Sequence, residues 1–167
     1  MKSLLLIFAV LIVLAGVLPT VLKQLARGKG TSGNKLPYRK KDYLLTAAER
    51  SFYEVLRSIL GDQLDVFAKV RLLDLVYLPK GTENRQSHTN RVMSKHVDFL
   101  LCERQNVSPL LVIELDDSSH ERDDRAERDA FVDGVLGAAG LPILHVAAKR
   151  SYAPNELAEM IQQKLGG

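Results

Sequence analysis

The first 41 residues of this 167-residue chain contain no aspartate or glutamate, and residues 4 to 22 (LLLIFAVLIVLAGVLPTVL) contain no charge of either sign. All 20 acidic residues lie from Asp42 onward with 15 of the 23 basic ones, so that part carries a net charge of −5 beneath a whole-chain value of +3. The positive total is thus no argument for nucleic-acid binding by the folded part. Cysteine is nearly absent. A lone Cys102 excludes an internal disulfide framework and agrees with a reducing compartment. Internal repeats are also lacking, which excludes a solenoid or propeller.

About 19 uncharged residues rising 1.5 Å each come close to spanning a hydrocarbon core of about 30 Å. Residues 1–25 are therefore expected to form one N-terminal transmembrane helix. A cleaved signal peptide is the alternative, with Lys2 ahead of the run and Val13-Leu14-Ala15 as a cleavage pattern. The apolar run continues past that point through GVLPTVL, which favours an uncleaved anchor. Lys23, Arg27, Lys29, Lys35, Arg39, Lys40 and Lys41 follow it. By the positive-inside rule they direct the C-terminal domain to the cytoplasm, and they suit a bilayer's anionic headgroups. Residues 26–42, rich in Gly and Lys, read as a basic flexible linker, and 43–167 as one domain.

Within the domain, Thr46-Ala47-Ala48-Glu49 has capping-box spacing, and Phe52, Val55, Leu56, Ile59 and Leu60 repeat at helical intervals until Gly61. Asp65 to Tyr77 is expected as a long strand, bent or broken near Arg71, and Pro79 to Ser94 as a basic loop. Two strands, His96 to Cys102 and Leu110 to Asp116, flank the turn chemistry of ERQNVSP. A helix from Glu121 to Ala139, a strand from Pro142 to Ala148 and a helix opened by Pro154 complete the order α, three strands, α, β, α. A mixed sheet with helices on its faces buries such elements economically.

The end of LLVIELDDSSH concentrates chemistry. With the hairpin centred near Asn106, Asp98 and Glu114 stand opposite one another, and Glu114 and Asp116 share a strand face. Three converging carboxylates need protons or a cation, and oxygen-only ligands suit Mg²⁺ or Mn²⁺. The plainer alternative is a solvated strand end in which Asp117, Ser118 and Ser119 cap the next helix.

Ser94-Lys95-His96-Val97-Asp98-Phe99-Leu100, Pro109 to His120, Arg125, Arg128-Asp129 and Ala139-Gly140-Leu141-Pro142 together resemble the bacterial family named domain of unknown function 2726. That family is placed among the PD-(D/E)XK nuclease-like proteins and is similar to the very-short-patch-repair-like endonucleases. The resemblance implies an α/β fold with a restriction-endonuclease-like αβββαβ core, its mixed sheet flanked by helices. It implies Asp98 and Glu114 as Mg²⁺ ligands and metal-assisted hydrolysis of DNA phosphodiester bonds, while the convergence of the three carboxylates makes Asp116 a further candidate ligand or base. Glu49 matches an acid that some members add, though the capping box accounts for it equally.

One departure is serious, because Asp116 stands where the pattern wants a lysine. Lys95 and His120 are the candidates to supply that donor, His120 also reading as a surface histidine at a helix start. Arg125 and Arg128 are candidate phosphate contacts, against the alternative of a solvated face for RDDRAERD. The expectation is a DNA-cleaving, Mg²⁺-dependent nuclease anchored by one span in the bacterial inner membrane. The alternative is a catalytically silent domain of the same fold, binding nucleic acid or protein at the cytoplasmic membrane face.

Overall fold

The computed structural model describes residues 16–20, 23, 36–116 and 123–166, with the side chains of 123–126 excepted. The chain divides into two units, residues 1–42 and 43–167. In the first unit, residues 16–20 are helical. The expected transmembrane anchor is corrected here: among the described residues, no helix is long and apolar enough to cross a membrane. A span takes about 20 consecutive apolar residues, and most of the run from Leu4 to Leu22 lies outside the described residues. With the anchor go the single-pass inner-membrane placement and the bilayer as a partner.

The second unit opens on helix α1, Ala47–Ile59. Thr46 caps it as the sequence predicts: the Glu49 N–H donates to the Thr46 hydroxyl at 3.3 Å, and the Thr46 N–H donates to Glu49 Oε2 at 2.8 Å. Strand β1, Leu64–Arg71, runs directly into a single helical turn, α2, Leu72–Leu75. The break expected near Arg71 is there, but a helix follows it where more strand was expected. Helix α3, Arg85–Met93, occupies the stretch expected to be a loop. Its one buried residue is Val92, so RQSHTNRVM carries too little apolar periodicity to announce itself. Strands β2, His96–Glu103, and β3, Pro109–Asp116, form the hairpin. Helix α4, Asp123–Ala138, strand β4, Ile143–Ala147, and helix α5, Pro154–Leu165, complete the unit.

The four strands form one mixed sheet in the order β1-β2-β3-β4, antiparallel except for the parallel pair β3 and β4. A helix between β3 and β4 makes that parallel return possible. On one side, Phe52 and Leu56 of α1 and Leu157 and Ile161 of α5 pack on Phe99, Leu101, Leu111, Ile113, Leu144 and Val146. On the other, Leu72, Val92, Val132 and Leu136 pack on Val97, Leu100, Cys102 and Val112. Burying side chains of this size stabilises by about 1.5–3 kcal/mol each relative to exposure. These two apolar layers hold the strand ends that carry the ionisable groups.

The alternation of faces is broken at one point in β1 and at its neighbour in β2. Val66 and Ala68 join the first layer but Val70 joins the second; Phe99 joins the first layer but Val97 the second. The residues at the switch are Lys69 and Asp98, lying between the partners Ala68↔Phe99 and Val70↔Val97. Lys69 has φ of +56°, a left-handed conformation that costs an L-residue about 1–2 kcal/mol. That kink turns both side chains into the space beside α1.

Candidate functional site

The site is built from three elements around Lys69. Its ammonium donates to Glu49 Oε1 at 2.5 Å and to Asp98 Oδ1 at 2.7 Å. Asp98 Oδ2 accepts the Leu115 N–H at 3.0 Å, which ties β2 to the end of β3. The strand pairs Phe99↔Ile113 and Leu100↔Val112 have the register the hairpin spacing predicts, and they bring Asp98 and Glu114 to the same end of the hairpin. Asp98 is also the neighbour whose charge and side chain act most strongly on Glu114 after burial. Four ionisable groups, from α1, β1, β2 and β3, therefore share one small volume.

Their electrostatics differ from group to group. Burial pushes the Glu114 carboxyl up to about 8, the negative charge and hydrogen bond of Asp98 adding to it, while His145 and Arg128 pull weakly the other way. Glu114 thus keeps its proton at neutral pH beside the Asp98 charge. Burial also works against the charge on Glu49, but Lys69 and Thr46 outweigh it and hold that carboxyl below its usual value. Burial likewise disfavours the Lys69 charge, and Asp98 and Glu49 overcome it, leaving the ammonium harder to deprotonate than a free lysine.

A cavity of about 580 Å³ opens on this cluster, lined by Thr46, Ala47, Ala48, Glu49 and Ser51 of the first helix, by Asp98 and Leu115, and by Ala148, Lys149 and Arg150. The positive end of α1, Lys149 and Arg150 give its rim a character that attracts anions. The cavity belongs with the cluster because Glu49 and Asp98 are in both.

The other expected residues lie elsewhere. Asp116 turns to His145, whose Nδ1 lies 3.0 Å from Asp116 Oδ1 while its Nε2 lies 3.2 Å from Asp133 Oδ1 on α4. Burial alone would lower the histidine's pKa, but the two carboxylates raise it. Lys95 sits over the Phe131 ring at 5.4 Å from its centroid. Arg128 is exposed, and its charge reaches Glu114. His120, Asp117, Ser118 and Ser119 lie outside the described residues, as does the Arg125 side chain.

Among the described residues, no group of three or more His, Cys, Asp or Glu is placed to hold a metal ion. That corrects the expectation of a membrane-anchored Mg²⁺ nuclease in which Asp98, Glu114 and Asp116 converge: Asp98 and Glu114 share the cluster with Glu49 and the Lys69 ammonium, and Asp116 turns to His145. Sequence reasoning missed Lys69 and His145. Lys69 is the one charged residue between Val66 and Val70, and strict alternation would have sent it to solvent with Phe67.

No curated protein and no solved structure matches the chain. A family model described as "Protein of unknown function (DUF2726)" matches residues 41–165, which take in every element from α1 to α5 and all four residues of the cluster. The chain belongs to the DUF2726 family.

Proposed function

We propose that Glu49, Lys69, Asp98 and Glu114 form an acid–base site for a phosphate-bearing ligand, with Glu114 as proton donor and Lys69 as the counter-charge. The observation that carries this reading is the Lys69 ammonium held between Glu49 and Asp98, with Asp98 tied to the end of β3 beside Glu114, whose carboxyl burial pushes up to about 8. Such a group keeps its proton at neutral pH and can deliver it to a leaving oxygen, and proton donors work best with a pKa near the working pH. Lys69 brings from β1 the ammonium that β3 lacks at Asp116, and an ammonium neutralises a phosphate oxygen as a point charge. The anion-attracting rim formed by α1, Lys149 and Arg150 favours a phosphate over a neutral ligand.

The finer kinship with the PD-(D/E)XK nuclease-like proteins belongs to this proposal. It is supported by the element order and by the positions of Asp98 on the second strand and Glu114 on the third. One Mg²⁺ or Mn²⁺ ion is proposed as a cofactor, since Asp98 and Glu114 offer the carboxylate oxygens those ions take and would hold it. Bound there, the ion would polarise a phosphate oxygen and lower the pKa of a water. Glu114 would have to release its proton to become that ligand, so the metal-bound and the proton-donating forms of the site are two alternative states.

The test is hydrolysis of bis(p-nitrophenyl) phosphate, a generic phosphodiester, with and without Mg²⁺ or Mn²⁺. Turnover by the wild type should fall about 100-fold or more in Glu114→Gln and in Lys69→Met. Equal rates in wild type and both variants would remove the cluster from the chemistry.

A further inference from the structure

A second cavity, of about 690 Å³, lies beside the apolar layer on the α4 side of the sheet, between α2, α3, α4 and the connection after α2. Its size falls within the range of small-molecule sites, about 300–1,000 Å³. Leu73, Leu75, Leu78, Val92, Phe131 and Val135 supply an apolar wall. Arg85, His88 and Thr89, all on α3, supply the polar groups along one edge. Among the described residues, no acidic one lines it.

Charge selects the occupant. Helix α3 contains no acidic residue, although the chain from Asp42 onward is net negative. Asp74, the nearest carboxylate in sequence to the wall, is taken by Arg71 at 2.6 Å. Arg91 lies 4.2 Å and Lys95 5.4 Å from the centroid of the Phe131 ring, which keeps positive charge beside the wall. Arg85 is held in place because its Nη1 donates to the Leu78 and Pro79 carbonyls at 2.8 and 3.1 Å. A guanidinium has five N–H donors, so a fixed Arg85 still has donors to offer a carboxylate.

We propose that this cavity binds a small amphipathic anion, a single hydrocarbon chain ending in a carboxylate. The chain lies along Leu73, Leu75, Val92 and Phe131, and the carboxylate meets Arg85 and His88. A concave, apolar-walled space with an edge of one charge sign takes a free monomeric ligand and orients it head to tail. Nothing in this assignment depends on Glu114 or Lys69.

Calorimetry on the full chain with octanoate, decanoate and dodecanoate, and with decanol as the uncharged control, tests it. Affinity should rise about fourfold for each added CH₂, the ratio that about 0.8 kcal/mol corresponds to. Decanoate should bind at least fivefold more tightly than decanol. Arg85→Gln, and separately His88→Gln, should weaken decanoate and leave decanol unchanged. Ala138→Trp puts bulk at an exposed rim position without touching the core, and it should abolish binding of both. The proposal is overturned by no binding at millimolar ligand, by equal affinity for decanoate and decanol, or by binding that survives Ala138→Trp. Binding of an acidic amphipathic peptide in place of every free chain would also overturn it, making the cleft a protein-docking surface.

Discussion

Lys69 and Asp98 stand opposite one another at the point where β1 and β2 both exchange the sheet face they serve, 2.7 Å apart from ammonium to carboxylate. The exchange is what makes the site. With regular alternation through Ala68, Lys69 and Val70, the lysine would leave the layer occupied by Phe52 and Phe99, and Glu49 on α1 would have no cation to meet. The left-handed backbone at Lys69 is the cost of this arrangement, and the two ion pairs offset it.

Removing the ammonium should therefore cost more than removing an ordinary surface lysine. Lys69→Met leaves Glu49 and Asp98 largely buried without their counter-charge and keeps the backbone strain. We expect a loss of about 2 kcal/mol in urea unfolding at pH 7. Lys69→Gly loses the same ion pairs but relieves the left-handed conformation, so it should be about 1 kcal/mol less damaging than Lys69→Met. The opposite ranking would show that the backbone at residue 69 is unstrained.

Glu114 makes stability fall as pH rises. Its folded pKa of about 8 lies above the ordinary 4.5, so between these values the folded state holds a proton that the unfolded state has released. Its contribution is most favourable below pH 4.5 and declines as pH climbs to about 8. Glu114→Gln has no proton to hold. It should match the wild type at pH 4 and exceed it at pH 8 by roughly 2 kcal/mol, allowing for solvent screening. Parallel stability curves for the two proteins from pH 4 to 8 would contradict this.

His145 acts in a higher window. Both its ring nitrogens face carboxylates, and only the imidazolium can donate to both. Its folded pKa is raised above 6.5, so the stability it contributes is present below 6.5 and is lost as pH rises through the raised value. The side chain is about a third exposed, so the effect is on the order of 0.5 kcal/mol. His145→Gln should lower the melting temperature at pH 6, and by progressively less as the pH is raised above 6.5.

Thr46→Ala tests the local origin of the first helix. It removes the hydroxyl that accepts the Glu49 N–H and should cost about 1 kcal/mol. Thr46→Ser should cost little, and equal losses in the two variants would show that the hydroxyl is not the capping group.

Local rules made part of this legible. The capping box, the apolar stripe of α1 and the register of the β2–β3 hairpin at Phe99 and Ile113 follow from spacing alone, and the structure has each of them. Helix α3 was hidden because a mostly polar nonapeptide with one buried residue reads as loop. The partnership of Lys69 was hidden for a different reason: a change of strand face is set by tertiary packing, and period-two reasoning has no signal for it. His145 meets Asp116 through the parallel register of β3 and β4 and meets Asp133 through the packing of α4. Neither contact is encoded within a single segment. The uncharged N-terminal run shows the opposite error, since length and composition were made to stand for a spanning helix that the described residues do not contain.

The central claim is that Glu114 keeps its proton at neutral pH beside the Lys69–Asp98 ion pair, and a carboxyl-detected ¹³C NMR titration of the Glu114 side chain tests it most directly. The wild type should remain protonated through neutral pH and titrate near 8, and Asp98→Asn, which removes the adjacent charge, should bring the midpoint down. A wild-type midpoint at or below its ordinary value of 4.5 would contradict the account.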